Sequence, residues 1–343
     1  MPKAKTNFLT EVLRGASQVF FMENALTGLL FFIAIAYASY VSGNWAVTIG
    51  AVIGVVVATI TAHLIGGDKP SISSGLFGFN GVLVGAALPT FVALSPQLWV
   101  YIVVGSAVST VVTAAFSSTL TAKWGIPGST GPFVLTGWLL VASAHAFGGL
   151  SVTGEAPKLA AERIAGVAAF PAGRELGEVF FRNIGQVYLL GSWVSGAIIL
   201  VGIFIASFPA GIAAAAGSAI AILVAVGMGA EPSLVSQGLY GFSPVLTAMA
   251  VSVIFLSPSV KVILYATLAT VMTVFVQAAL NVIVAPAGIP TFTAAYVLTM
   301  YLFIAPKKLM APHPHAPVRD HPAEKENLRP AAGVSDNKQP KPT

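Results

Sequence analysis

Cysteine is absent from all 343 residues. That excludes a disulfide scaffold, thiolate metal sites and a Cys nucleophile. Charge is almost as scarce: 8% of the residues are Asp, Glu, Lys or Arg, against about a quarter in a soluble domain. Of the 29 charged side chains, 17 basic and 12 acidic, 11 fall in the last 37 residues. Without that stretch too little polar surface remains to keep a body of this size in water. A soluble enzyme is excluded, and so is a disordered chain. What is present is apolar, with 56% hydrophobic residues and a mean hydropathy of +0.86. The chain belongs in a bilayer. Its net charge of +5 is not gathered on one face and carries no nucleic-acid signal.

Residues 24–67, 70–122, 124–154, 183–230, 232–260 and 262–306 contain no Asp, Glu, Lys or Arg. At about 20 apolar residues per crossing plus a turn, they allow roughly ten spans. Gly, Pro and Ser clusters punctuate them, as at Ser42-Gly43-Asn44, Ser95-Pro96 and Ser257-Pro258. Gly75–Leu88, stopped by Pro89, and Gly238–Val251 are too short to cross and read as re-entrant. Residues 155–182 carry four acids and four bases and read as a solvated connection. From residue 306 onward prolines and charges replace apolar residues, the composition of a disordered tail. His313, His315 and His321 lie there as scattered solvated side chains. Lys3, Lys5 and Arg14 at one end and Lys307-Lys308 at the other place both termini in the cytoplasm, given an even number of spans. No cleavable signal peptide is expected, because the first apolar run begins after Glu23 and flows into a span.

The chain repeats itself. Residues 14–28 overlay 182–196, matching Arg14 with Arg182, Gln18 with Gln186, Val19 with Val187 and Gly28 with Gly196. Gly75–Leu83 overlays Gly238–Leu246 with six identities in nine. Ile126–Thr136 overlays Ile289–Thr299, pairing Pro127 with Pro290, Thr130 with Thr293 and Thr136 with Thr299. The offsets are 168, 163 and 163, in the same order, as an internal duplication requires. Ten spans in two copies make five each, and an odd number inverts the second copy. The expected fold class is therefore all-α integral membrane, with about ten transmembrane helices in two inverted five-helix repeats. Each repeat contributes a re-entrant half-helix to a central pore. The expected division is 1–154 for the first repeat with a short N-terminal amphipathic segment, 155–182 for the connecting loop, 183–305 for the second repeat and 306–343 for the tail.

The pathway so defined is poor in charge. Glu23 and Glu231 read as interfacial, beside Asn24-Ala25 and Pro232-Ser233. No paired carboxylates suggest a proton or sodium relay. His63 and His145 read as isolated, packed or interfacial imidazoles. Ile72-Ser73-Ser74-Gly75 does not supply the nucleophile turn of an intramembrane hydrolase. The duplicated residues are neutral instead. Gln18 and Gln186 bring amide oxygens, and Thr130 and Thr293 bring hydroxyls. Phe79 and Phe242 bring flat faces, with Leu83 and Leu246 one turn along the same side of a short helix. Phe21 and Leu189 follow the glutamines by three residues, on the same face. An ion would find no compensating charge there. A flat neutral solute rich in hydrogen bonds would find acceptors as its water is stripped. Urea, small amides and ammonia fit that description.

At these residues the chain resembles the urea transporter family. The likeness rests on Gln18-Val19-Phe20-Phe21 with Leu26-Thr27-Gly28-Leu29, on Gly75–Gly85, and on Ile126-Pro127 leading to Thr130-Gly131-Pro132-Phe133. In the second copy it covers Gly185–Tyr188, Leu239–Leu246 and Thr293. The resemblance implies ten spanning helices, two re-entrant helices and a homotrimer with one pore per subunit in the inner membrane. It also implies passive urea flux along a ladder of oxygens between aromatic slots, with no cofactor and no catalysis. Carried over, Gln18 and Gln186 flank the ladder, and Thr130 and Thr293 mark its constriction. Phe79 with Leu83, and Phe242 with Leu246, line the slots, with Phe21 and Leu189 nearby. The chain departs from the pattern at Met22-Glu23-Asn24-Ala25 and at Ser243, where the family has Asn. Rival readings are a channel for acetamide or ammonia and an ion-coupled small-solute carrier.

Overall fold

A computed structural model describes residues 7–153 and 169–306. Among them there is no strand, and a single antiparallel bridge joins Val92 to Val152. The described residues form helices joined by short turns. Helix α1 (Phe8–Ser17) runs into a 3₁₀ turn at Gln18–Phe20, and α2 (Ala25–Ser42) and α3 (Trp45–Leu64) follow. Next come the five-residue α4 (Lys69–Ser73), α5 (Phe79–Phe91) and α6 (Pro96–Phe116). A π turn at Ser117–Thr121 carries α6 into α7 (Ala122–Trp124), and α8 (Gly131–Ala144) ends the set.

The same order then recurs. Helix α9 (Arg174–Gly185) runs into a 3₁₀ turn at Gln186–Tyr188, before α10 (Trp193–Ala206) and α11 (Phe208–Gly227). The five-residue α12 (Pro232–Ser236) leads to α13 (Phe242–Met249), which a π turn extends through Ile254. Helix α14 (Val260–Val284) and α15 (Ala294–Ile304) complete it. Side-chain caps set several of these starts: Asn24 accepts from Thr27 N, Ser95 from Leu98 N, Ser207 from Ala210 N and Ser259 from Val262 N. Each satisfies one of the amides that a helix start leaves without an intrahelical acceptor.

Five helical stretches are long and apolar enough to cross a membrane: Ala25–Ser42, Trp45–Leu64, Pro96–Trp124, Phe208–Gly227 and Val260–Ala287. A sixth is the pair Arg174–Tyr188 and Trp193–Ala206, bent by 75°. Four shorter apolar helices lie at Phe79–Phe91, Gly131–Ala144, Phe242–Ile254 and Ala294–Ile304. Against the roughly ten spans expected from charge-free runs, five or six helices have crossing length and the other four apolar helices are shorter. Less than half of each long span is buried within the chain. Large apolar side chains such as Leu64, Leu223 and Val260 are left exposed, as lipid-facing positions require.

Two sequence expectations change. Pro89 does not stop its helix; α5 continues to Phe91. The Gly85 carbonyl, which loses its helical donor to Pro89, lies so close to Gly50 that a Cβ there would come within 2.2 Å of it. In the second half a bend of 75° falls between Tyr188 and Trp193, ahead of the Gly238–Val251 block, whose own turn at Gly238 precedes α13. Residues 174–182, read as part of the connecting loop, are helical and belong to α9. Its acids and bases lie one turn apart, and Glu178 bridges Arg174 at 3.3 Å and Arg182 at 2.9 Å. Such an amphipathic helix leaves no long apolar run to read. The proposed tail beyond 306 lies outside the described residues.

Helices α3 and α5 meet through Gly50 and Gly54 on one side and Gly81 and Gly85 on the other. A Cβ on Gly54 would lie 2.2 Å from the Gly81 carbonyl oxygen, and one on Gly85 would lie 2.0 Å from that of Gly50. Four-residue spacing of small side chains lets two backbones touch, a packing mode suited to lipid, where no water drives helices together.

Candidate functional site

The turns that carry the duplicated residues are strained, and in matching places. Among the described residues four non-glycines have positive φ: Phe21 at 65°, Leu189 at 62°, Ser129 at 45° and Phe292 at 46°. Phe21 and Leu189 are 168 residues apart, and Ser129 and Phe292 are 163 apart, the two offsets of the repeat. Left-handed backbone at a bulky side chain is unfavourable and persists only where its surroundings enforce it, typically at functional sites. Phe21 and Leu189 therefore do not continue the helical face of the glutamines, as their three-residue spacing suggests. Each ends a 3₁₀ turn and swings its side chain off the helix.

Each glutamine clamps a short helix. Gln18 Nε2 donates to Ser74 O at 2.8 Å, and Gln186 Nε2 donates to Gln237 O at 2.9 Å. One turn earlier Arg14 Nη1 donates to Ser73 O at 2.8 Å, and Arg182 Nη1 to Ser236 O at 2.9 Å. These carbonyls end α4 and α12, where intrahelical donors run out. The next residue but one, Gly75 or Gly238, turns the chain at φ 85° or 79° into the glycine-aromatic block. The conserved-looking Arg–Gln spacing of the sequence is thus a clamp on the entry to α5 and α13. It leaves Phe79 and Phe242 as first residues of those helices, with Leu83 and Leu246 one turn on.

At the centre Thr130 Oγ1 and Thr293 Oγ1 share a hydrogen bond of 2.7 Å, with both residues buried. Around this pair the contacts are reciprocal. Ser129 Oγ meets Tyr296 Oη at 2.7 Å, while Phe292 packs on Phe133 with ring centroids 4.8 Å apart. Ser129 matches Phe292 and Phe133 matches Tyr296 at the offset of 163. Thr27 Oγ1 donates to Gly202 O at 2.9 Å, and Ser195 Oγ donates to Ala34 O at 2.8 Å. Those residues exchange at the offset of 168. Contacts of i with j and j with i are the mark of a two-fold relation.

A cavity of about 380 Å³ opens on the second-half side of the pair. Of the ten residues singled out in the sequence, Gln186, Leu189, Phe242 and Thr293 line it. Gln18, Phe21, Phe79, Leu83, Thr130 and Leu246 do not; all six are buried. Phe21 there packs edge-on against Phe255 and Tyr296, with centroids 5.9 and 6.2 Å away. The cavity has a polar wall that sequence reasoning missed, made by Gln237, Gln277, Asn281 and Thr291. Its aromatic wall adds Phe91, Phe133 and Phe292. Phe292 lies inside the repeated Ile289–Thr299 block, beside Thr293, and that was the signal available for it. No signal existed for Gln277, because its counterpart is Ala114.

Charge stays away from this wall. Glu23, read as interfacial, has a side chain 7% exposed and pairs with Arg14 at 3.0 Å. Glu231 is exposed and accepts from Ser233 Oγ. His63 is not isolated: its Nε2 lies 2.9 Å from Glu11 Oε2. His145 Nε2 lies 3.5 Å from the Gly288 carbonyl at the cavity rim. Among the described residues no three His, Cys, Asp or Glu side chains gather as a metal site.

Among the described residues, apolar helices of membrane-crossing length and a cavity walled by amides, hydroxyls and aromatic rings define a multi-pass membrane protein. The sequence profile of the urea transporter family matches residues 9–308. The chain belongs to that family, whose members are transport proteins and not enzymes. Among its relatives, urea transporter 1 of Ovis aries is 28% identical over 307 residues, covering 87% of this chain and 76% of the relative. Urea transporter 1 of Rattus norvegicus is 29% identical over 308 residues, with the same coverage.

Proposed function

We propose that the protein conducts urea passively through each subunit, past the Thr130–Thr293 hydroxyl pair. The observation that carries this reading is the pair itself, buried between two strained turns and reached by an uncharged cavity. Two hydroxyls joined by one hydrogen bond keep more acceptor than donor capacity. Urea presents N–H groups on two sides, so those acceptors replace water as it passes. An unmet donor costs about 1–3 kcal/mol in a protein interior, and the oxygens of Gln186 and Gln18 extend the same compensation toward either mouth. Phe242 with Leu246, and Phe79 with Leu83 and Phe21, hold the flat solute edge-on to the oxygens. Weak, repeated binding of this kind also permits release.

Five crossings per copy complete the reading. They are α2, α3, α5, α6 and α8, matched by α10, α11, α13, α14 and α15. Helices α1 and α9 then enter and leave as re-entrant arms, and the two-fold relation lies in the membrane plane. Assembly as a homotrimer in the inner membrane, with both termini cytoplasmic, goes with this layout. The test is shrinkage of proteoliposomes by light scattering, with sodium and proton gradients collapsed. Urea should enter well above empty vesicles and faster than acetamide. Dependence on either gradient would overturn the passive mechanism, and faster acetamide entry would overturn the substrate.

A further inference from the structure

The two central turns are held by different chemistry. In the first half Asn80 ties the turn to the helix that follows. Its Oδ1 accepts from Phe133 N at 3.1 Å, the third residue of α8, and its Nδ2 donates to Ser129 O at 3.3 Å and Thr113 Oγ1 at 3.1 Å. One buried amide thus ties the strained turn to the start of the helix that follows. In the second half the matching residue is Ser243, whose hydroxyl is too short for that reach. Its Oγ donates instead to Gln277 Oε1 at 3.1 Å. Gln277 Nε2 then donates to Thr291 Oγ1 at 2.8 Å and Asn281 Oδ1 at 3.0 Å. Ser243 is fully buried and Gln277 is 1% exposed.

At the offset of 163, Gln277 stands in place of Ala114 and Thr291 in place of Gly128. Three differences therefore belong together. The amide has moved from α5's counterpart to the neighbouring α14, and a hydroxyl has appeared on the turn to receive it. Both Gln277 and Thr291 lie on the cavity wall, and Thr291 is two residues from Thr293.

We propose that Gln277, oriented by Ser243, is the positioning residue that fixes the Thr291–Thr293 turn and so sets the Thr293 hydroxyl against Thr130. This rests on the passive urea reading above for its flux readout. Gln277→Leu should slow urea entry into proteoliposomes about fivefold, the equivalent of one buried hydrogen bond. Thr291→Val should do the same, and the two together should add little, because they remove one bond. Ser243→Asn in the Gln277→Leu background restores the first half's arrangement and should recover most of the lost rate. A side chain that merely filled space would not be rescued in this way. Unchanged flux in Gln277→Leu, or no recovery with Ser243→Asn, overturns the proposal. The same proteins are melted in detergent as a reading independent of transport. Gln277→Leu should lower Tm and Ser243→Asn should restore it; failure of that recovery also overturns the proposal. If the unsubstituted protein passes no urea, the transport reading fails, while the Tm set still decides what Gln277 holds.

Discussion

Glu11 and His63 meet 2.9 Å apart in the first half; at the matching places of the second stand Val179 and Val226, packed in one apolar cluster. Helices α3 and α5 touch through four glycines. Their counterparts α11 and α13 use Ala213 and Gly217 against Pro244 and Ala248, with looser contact: a Cβ on Gly217 would meet the Ala248 Cβ at 2.8 Å rather than a backbone oxygen at 2.2 Å. Against these differences, the glutamine clamps, the four strained residues and the central hydroxyls coincide. Packing around the pathway has been free to diverge, because many side chains fill a given volume. Turn geometry has not, because few sequences tolerate left-handed backbone or supply a donor at the end of a short helix.

That comparison can be broken by substitution, and the largest effect is expected at the helix crossing. Gly54→Ala places a methyl against the Gly81 carbonyl, and should cost about 3 kcal/mol through forced separation of α3 and α5. Gly217→Ala meets the Ala248 Cβ at 2.8 Å and the Val245 Cα at 2.9 Å, so α11 and α13 must part less far than α3 and α5, at a cost of about 1–2 kcal/mol. Thermal melting in detergent measures both; equal losses would mean that the two halves pack alike despite their different contacts. The pair at Glu11 should show a smaller effect. His63→Val alone removes the ring from a carboxylate only 6% exposed, and should lower stability by about 1 kcal/mol, since His63 itself is half exposed. Adding Glu11→Val copies the second half and should recover the loss, as replacement of both partners by apolar groups often does. A double variant less stable than the single one would show that the first half needs the imidazole–carboxylate hydrogen bond itself.

Much of this was legible in the sequence, and the reasons are local. Scarce charge identified the solvent. Gly75–Leu83 and Gly238–Leu246 could be paired because their turns demand glycine at positive φ. The duplication pairs Thr130 with Thr293 in the sequence, and their hydroxyls lie 2.7 Å apart. The span count was less legible, since charge-free runs do not distinguish a 14-residue helix such as α8 from a full crossing. Pro89 misled because its effect depends on what lies against Gly85. The polar wall of Gln277, Asn281 and Thr291 was invisible for the opposite reason. Repeats reveal what both copies keep, and this wall exists where the second copy departs from the first.

The hydroxyl pair is tested most directly by Thr130→Val and Thr293→Val, which keep shape and remove the oxygen. Urea flux in proteoliposomes should fall about tenfold in each, while stability falls only by what one buried hydrogen bond contributes, about 1 kcal/mol. Full urea flux in both variants would contradict a pathway past these two side chains.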